Sequence, residues 1–173
     1  MGGLSIRKLI VVCQCVEVIA LAVWVGGLVS IIVAAIPAVI NTMGNPGGVE
    51  AGGRLLTRTF HRYDHLSMVS AGFIIIGMLA RVYATTGHWR EQISLTEIVV
   101  LGTMTMIASY LTFFFNPQIA HLQELAFSAQ SKVERSMAYQ DFFSGHYIAR
   151  ALYMINLGLG IALLLMKVRK WVR

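Results

Sequence analysis

The side chains with the most chemistry to offer in this chain are its five histidines. His61 and His65 are four residues apart, so on a helix they share one face. His121 and His146 fall with them on one side of the expected membrane topology, and only His88 falls opposite. Imidazole ligates haem iron, copper and zinc. A b-type haem takes two axial groups, here from different helices at similar depth. His61 or His65 with His146 or His121 meets that need. A copper site would add Asp64, Glu124 or Asp141. Arg150 lies one turn after His146 and can hold a propionate or an anion, or pair with Asp141 or Glu124. The candidate cofactor-binding set is therefore His61, His65, His121, His146 and Arg150, with b-type haem or copper as the group bound. The plainer alternative is a set of interfacial histidines bonded to loops or headgroups.

Glu17 is the acid that sits well inside an apolar run, and an ionisable group there is a functional candidate by default. Cys13, Glu17 and Trp24 fall on roughly one helix face. Glu97 reads differently: Ser94-Leu-Thr-Glu97 matches a capping box. Cys13 and Cys15 are two apart, so on a helix they point about 200° from each other and cannot chelate one ion together. There is no HExxH, no CxxCH, no phosphate-binding glycine loop and no nucleophile elbow. No catalytic residue is assigned, and the enzyme question stays open, with an electron-transfer subunit of a membrane oxidoreductase as the most that the residues offer.

The elements that must position these residues are membrane spans. The chain is 57% hydrophobic and 13% charged, against about 45–50% and about 25% in soluble domains. Four apolar runs, about 9–40, 66–84, 95–115 and 147–168, are each long enough to cross a bilayer. They make a single transmembrane domain over residues 1–173. The expected fold class is all-α: an integral membrane four-helix bundle with two interfacial amphipathic connecting helices. The first connection, Val49 to His65, puts Arg54, Arg58, His61 and His65 on one face and Leu55, Leu56, Phe60 and Tyr63 on the other. The second runs from Gln118 to Gly145. Asn116-Pro117 is expected to stop span three, and Pro37 to kink or close span one. Each half of the chain reads span, connection, span, which is the layout of a repeat or a coincidence.

In span one, Ala22, Gly26, Ser30, Ala34 and Ala38 recur every four positions. Such a stripe lets a second helix approach closely in lipid. Span one is therefore expected to act as the central post of the bundle. The net charge of +6 sits at span ends. That suits lipid headgroups and gives no nucleic-acid patch. Arg7, Lys8, Lys167, Arg169, Lys170 and Arg173 cluster beside the termini, which places both termini in the cytoplasm.

Several short motifs carry a resemblance. They are Trp24-Val25-Gly26-Gly27, Ala35-Ile36-Pro37-Ala38, Phe60 with Tyr63, Asn116-Pro117-Gln118-Ile119 with Leu122, and His146 with Asn156. Together the chain resembles a bacterial four-helix membrane family of unknown function. That family is also represented in eukaryotic transmembrane proteins and is reminiscent of copper-resistance D-type membrane proteins. The resemblance implies four spans and an inner-membrane location, and no established reaction. The family's histidine in span four matches His146. Three functional expectations follow. The first is a non-catalytic subunit or assembly factor packed against other membrane subunits. The second is a haem or copper protein. The third and weaker one is a small-solute transporter with Glu17 as its coupling group.

Overall fold

The computed structural model describes residues 2–42, 44–45, 48–85 and 93–172. His88, Arg90 and Arg173 lie outside them. The described elements are α1 (Gly2–Ser30), a π-turn (Ile31–Ala35), α2 (Ile36–Thr42), α3 (Gly48–Ala84), α4 (Leu95–Tyr110), a second π-turn (Leu111–Phe115), α5 (Asn116–Ser128) and α6 (Lys132–Val172). Among the described residues four helices are long and apolar enough to cross a membrane: Ile6–Thr42, Gly48–Ala84, Leu95–Ser128 and Lys132–Lys170. The protein is an all-α, multi-pass membrane bundle.

Proline explains the two π-turns. Its ring clashes with the carbonyl four residues back and it has no N–H to give. The chain answers by widening the turn just before each proline. Ile36 N–H bonds Ile31 O ahead of Pro37, and Asn116 N–H bonds Leu111 O ahead of Pro117. Each helix then continues. Asn116-Pro117 therefore does not stop span three, contrary to the sequence reading.

The connections also differ from expectation. Gly48–Ala84 is one unbroken helix of 37 residues, roughly 55 Å at 1.5 Å per residue. A bilayer core of about 30 Å covers little more than half of that. The polar half stands on the end of span two as a straight extension, not as a separate interfacial helix. Lys132–Val172 behaves the same way over 41 residues. The second connection is divided at Ala129: Ile119 and Ala126 before it are buried, whereas Val133 and Met137 beyond it are exposed. The extensions pack on one another. Arg54 Nη2 meets Glu124 Oε2 at 3.0 Å, and Thr57 donates to Gln123 Oε1.

The core runs down the bundle axis. Leu21, Trp24 and Leu28 of α1 meet Ile74 of α3, Met104 of α4 and Leu163 of α6. Its pattern settles the question of a repeat. Buried Glu17, Leu21, Trp24, Leu28, Ile31 and Val39 recur 80 residues on, as Glu97, Leu101, Met104, Ala108, Leu111 and Ile119. Buried Tyr63, Ser67, Ser70, Ile74, Gly77 and Arg81 recur 86 residues on, as Ala149, Tyr153, Asn156, Gly160, Leu163 and Lys167. The two π-turns are also 80 residues apart. The halves are two copies of one design, and each half holds two spans, so both copies cross in the same sense.

Candidate functional site

Two polar centres interrupt the apolar core, one toward each end of it. They are 17 residues apart on α3, at Asp64 and Arg81, or roughly 25 Å along the helix.

The first gathers at Glu17, whose side chain is 1% exposed. Arg81 of α3 forks onto it, with Nε at 2.7 Å from Oε1 and Nη2 at 2.9 Å from Oε2. Lys167 of α6 donates to Oε2 as well. Beside them Glu97 of α4 is buried, and Lys170 Nζ lies 2.6 Å from its Oε1. Glu97 Oε2 has no hydrogen-bond partner among the described residues. Gln14 completes the lining of a small cavity between these groups. Among the described residues three cations thus face two carboxylates, a formal excess of one positive charge. The bidentate Arg81 fork is the strong form of ion pair, and it ties three of the four spans together through one carboxylate. The sequence singles out Glu17, whereas Arg81 and Lys167 are basic residues near span ends, where charge ordinarily meets headgroups. The structure draws both inward. Glu97 keeps its capping position, since its N–H donates to Ser94 Oγ at 3.2 Å. Its carboxylate, however, serves the cluster.

The second centre is Asp64, buried on α3. Tyr153 of α6 donates to Oδ1 at 2.7 Å, and Asn116 of α5 donates to Oδ2 at 2.5 Å. The same amide nitrogen donates to the Tyr153 hydroxyl at 2.7 Å. Tyr63 reaches across to the Trp24 carbonyl at 3.4 Å. One carboxylate thus fixes α3 against the first turn after the second π-turn and against α6. Sequence reasoning had Asp64 only as a spare copper ligand. The signal available was Asn116 beside Pro117, where a widened turn re-aims a side chain inward.

The histidines do not join either centre. His61 and His65 are exposed and pack edge to face, ring centroids 4.6 Å apart. His121 is exposed. His146 is half-buried and stacks on Phe142 at 6.0 Å. Among the described residues no group of three or more His, Cys, Asp or Glu side chains is placed to hold a metal ion. Arg150 is exposed and has no ion pair among the described residues. Its expected partner Glu124 is taken by Arg54. Asn156 does bond across helices, its Nδ2 at 3.3 Å from Met104 O. Cys13 and Cys15 are free thiols.

The small stripe of span one is also not where the bundle packs. Ala22, Gly26, Ser30, Ala34 and Ala38 are all exposed. The inward face of α1 carries Glu17, Leu21, Trp24 and Leu28 instead. The expectation of a central post is corrected: α1 contributes its large residues to the core and turns its small ones outward. The physical reason is that this core is filled by bulky side chains meeting on the axis, and the close approaches are made by other glycines. A Cβ on Gly77 would stand 2.7 Å from Glu17 Cγ, and one on Gly160 2.7 Å from Val25 Cγ2, whereas one on Gly26 would meet nothing within 4 Å.

The family described as a domain of unknown function, DUF4149, matches residues 19–128. The chain belongs to this family. The matched stretch holds both π-turns, Asp64, Asn116 and Arg81, together with the whole small stripe. It stops short of Tyr153 and Lys167, which complete the two centres, and begins just after Glu17. No curated protein and no solved structure matches the chain.

Proposed function

We propose that the protein is a non-catalytic subunit or assembly factor of a larger complex in a bacterial inner membrane, with both termini cytoplasmic. The observation that carries this reading is the outward-facing stripe from Ala22 to Ala38. Small residues in lipid admit a neighbouring helix at close range, and this stripe has no neighbour within the bundle. The two polar centres support the same reading, since they brace both ends of the bundle as a rigid part to be packed against. The basic residues at the termini support the orientation. Gly26→Leu is the test. The new side chain meets nothing inside the bundle, so the isolated protein should stay folded while its slower-migrating complex on a native gel is lost. Unchanged migration overturns the reading.

A second reading rests on His61 and His65, which share an exposed face with their rings in contact. Two imidazoles so placed are a start for copper or for a haem held with another subunit. The measurement is an absorption spectrum of the purified protein, oxidised and dithionite-reduced, with metal analysis of the same sample. A b-type α-band or stoichiometric copper that disappears in His65→Ala supports this reading. A featureless, metal-free sample removes it.

A further inference from the structure

One outward face of α3 changes character along its length. Arg58, Arg62 and His65 are followed at helical spacing by Val69, Phe73 and Ile76. These six lie within about 80° of one another around the helix. All are exposed, Val69 by 56% and Ile76 by 64%. His61 flanks the basic end, its ring edge-on to that of His65.

The cations of this face have no acid of their own. Arg54, one turn above, is held by Glu50 and Glu124. Arg58 and Arg62 have no ion pair among the described residues. Asp64 is turned the other way, into the bundle, where Tyr153 and Asn116 bond it.

The lengths fit one leaflet. On this face charge ends at His65, and the apolar stretch from Leu66 to Ile76 spans ten residues, roughly 15 Å. Half of a hydrocarbon core of about 30 Å is the same distance. Arg62 then stands about 6 Å beyond the core, at headgroup level. Arg58, one turn further out, has the long stem that lets a basic side chain reach back to that level.

The second half of the molecule supplies the comparison. The twins of Arg58, His61, Arg62 and His65, 86 residues on, are Ser144, Tyr147, Ile148 and Ala151, all exposed. Below them Ile155 takes the place of Val69 and is 53% exposed. Both flanks keep the apolar stretch, and one of them adds the cations. Contact with lipid tails requires only the apolar stretch. Two unpaired guanidiniums set above it are complementary to an amphiphile with a negative head.

We propose that this face of α3 holds an anionic phospholipid of the leaflet opposite the termini, its phosphate at Arg58 and Arg62 and an acyl chain along Val69, Phe73 and Ile76. A soluble phosphate compound has no use for the apolar stretch, and a neutral lipid gains nothing from the arginines.

The test uses the full chain in vesicles of phosphatidylcholine and phosphatidylglycerol in equal amounts, with one of the two lipids brominated at a time. Val69→Trp puts a fluorescent reporter on the proposed site, and Ile155→Trp puts one at the twin place. Each is read against the protein without it. The reporter at position 69 should be quenched more by brominated phosphatidylglycerol than by brominated phosphatidylcholine, and the one at position 155 equally by both. Arg62→Gln should lower the preference at position 69 about fivefold, the worth of one basic residue at an anionic surface. Arg58→Gln with Arg62→Gln should abolish it, whereas Arg58→Lys with Arg62→Lys keeps the charge and should keep most of it. Equal quenching at position 69, the same preference at position 155, or an unaltered preference in the double glutamine variant overturns the proposal. Excess glycerol phosphate at constant ionic strength should leave the preference unchanged, and its loss would assign the arginines to a soluble anion instead. Native mass spectrometry of the detergent-extracted protein gives a reading without added tryptophan. The wild type should retain phosphatidylglycerol over phosphatidylcholine and the double glutamine variant should not, and equal retention of the two lipids by the wild type also overturns the proposal.

Discussion

Glu17→Ala should lower the thermal midpoint of the detergent-solubilised protein by roughly 10 °C. Removing one partner from a buried ion pair costs about 3–5 kcal/mol, because the charge left behind stays desolvated. In a chain of this size each kcal/mol is worth about 2–4 °C. Here the variant takes the shared carboxylate from two buried cations, Arg81 and Lys167. The companion measurement separates charge from packing. Glu17→Leu combined with Arg81→Met and Lys167→Met removes all three charges and keeps the volume, and most of the midpoint should return. A shift of under about 2 °C in Glu17→Ala, on the same scale, would mean that the cluster does not hold these spans together.

Gly77→Ala should be nearly as damaging, although it adds only a methyl group. The new Cβ would stand 2.7 Å from Glu17 Cγ, 3.1 Å from Glu17 Oε1 and 3.3 Å from the Cys13 carbonyl. The carbonyl is backbone and cannot move aside, so the glutamate must. Overpacking of this kind costs about 1–3 kcal/mol, and displacing Glu17 loosens its pairs as well. The two substitutions share a cause, so they should not add. Once Glu17 is alanine the two closest contacts are gone and only the Cys13 carbonyl at 3.3 Å remains, so Gly77→Ala on that background should cost less than half of what it costs alone. A double variant with the summed midpoint shifts of the two singles would count against the contact. The check is a thermal scan of all four proteins in one detergent.

The membrane class, the four spans and the cap at Ser94 were legible because they depend on composition and local spacing. Glu17 was legible as an exception to an apolar run. Its partners were not, because Arg81 and Lys167 lie 64 and 150 residues away in the chain. A basic residue near a span end also satisfies the simpler headgroup reading. The histidines show a different limit. Four of them share a membrane side, but sharing a side fixes only depth. Direction around each helix is what turns His61, His65 and His121 outward. The small stripe shows the same limit: spacing established that Ala22 to Ala38 share a face, and only tertiary packing established that the face is the outer one. Asn116-Pro117 was read by the ordinary rule for proline. The widened turn before it, which saves the helix, depends on packing that a local rule does not contain.

The doubled design has a consequence for how such a molecule can change. Two separate two-span chains meeting in this way would be a homodimer. Its two seams would be copies of each other, so any substitution that opened one would open both. Fusing the halves into one gene product ends that constraint. One position is now Ile74 and its twin is Gly160; one is Arg81 and its twin Lys167. A single mutation can remodel one flank of the molecule while the other goes on holding it shut. Asp64 shows how far this has gone. Its twin position, 86 residues on, is the exposed Arg150, so the second polar centre exists once where an ancestor of paired chains would have had to carry it twice or not at all.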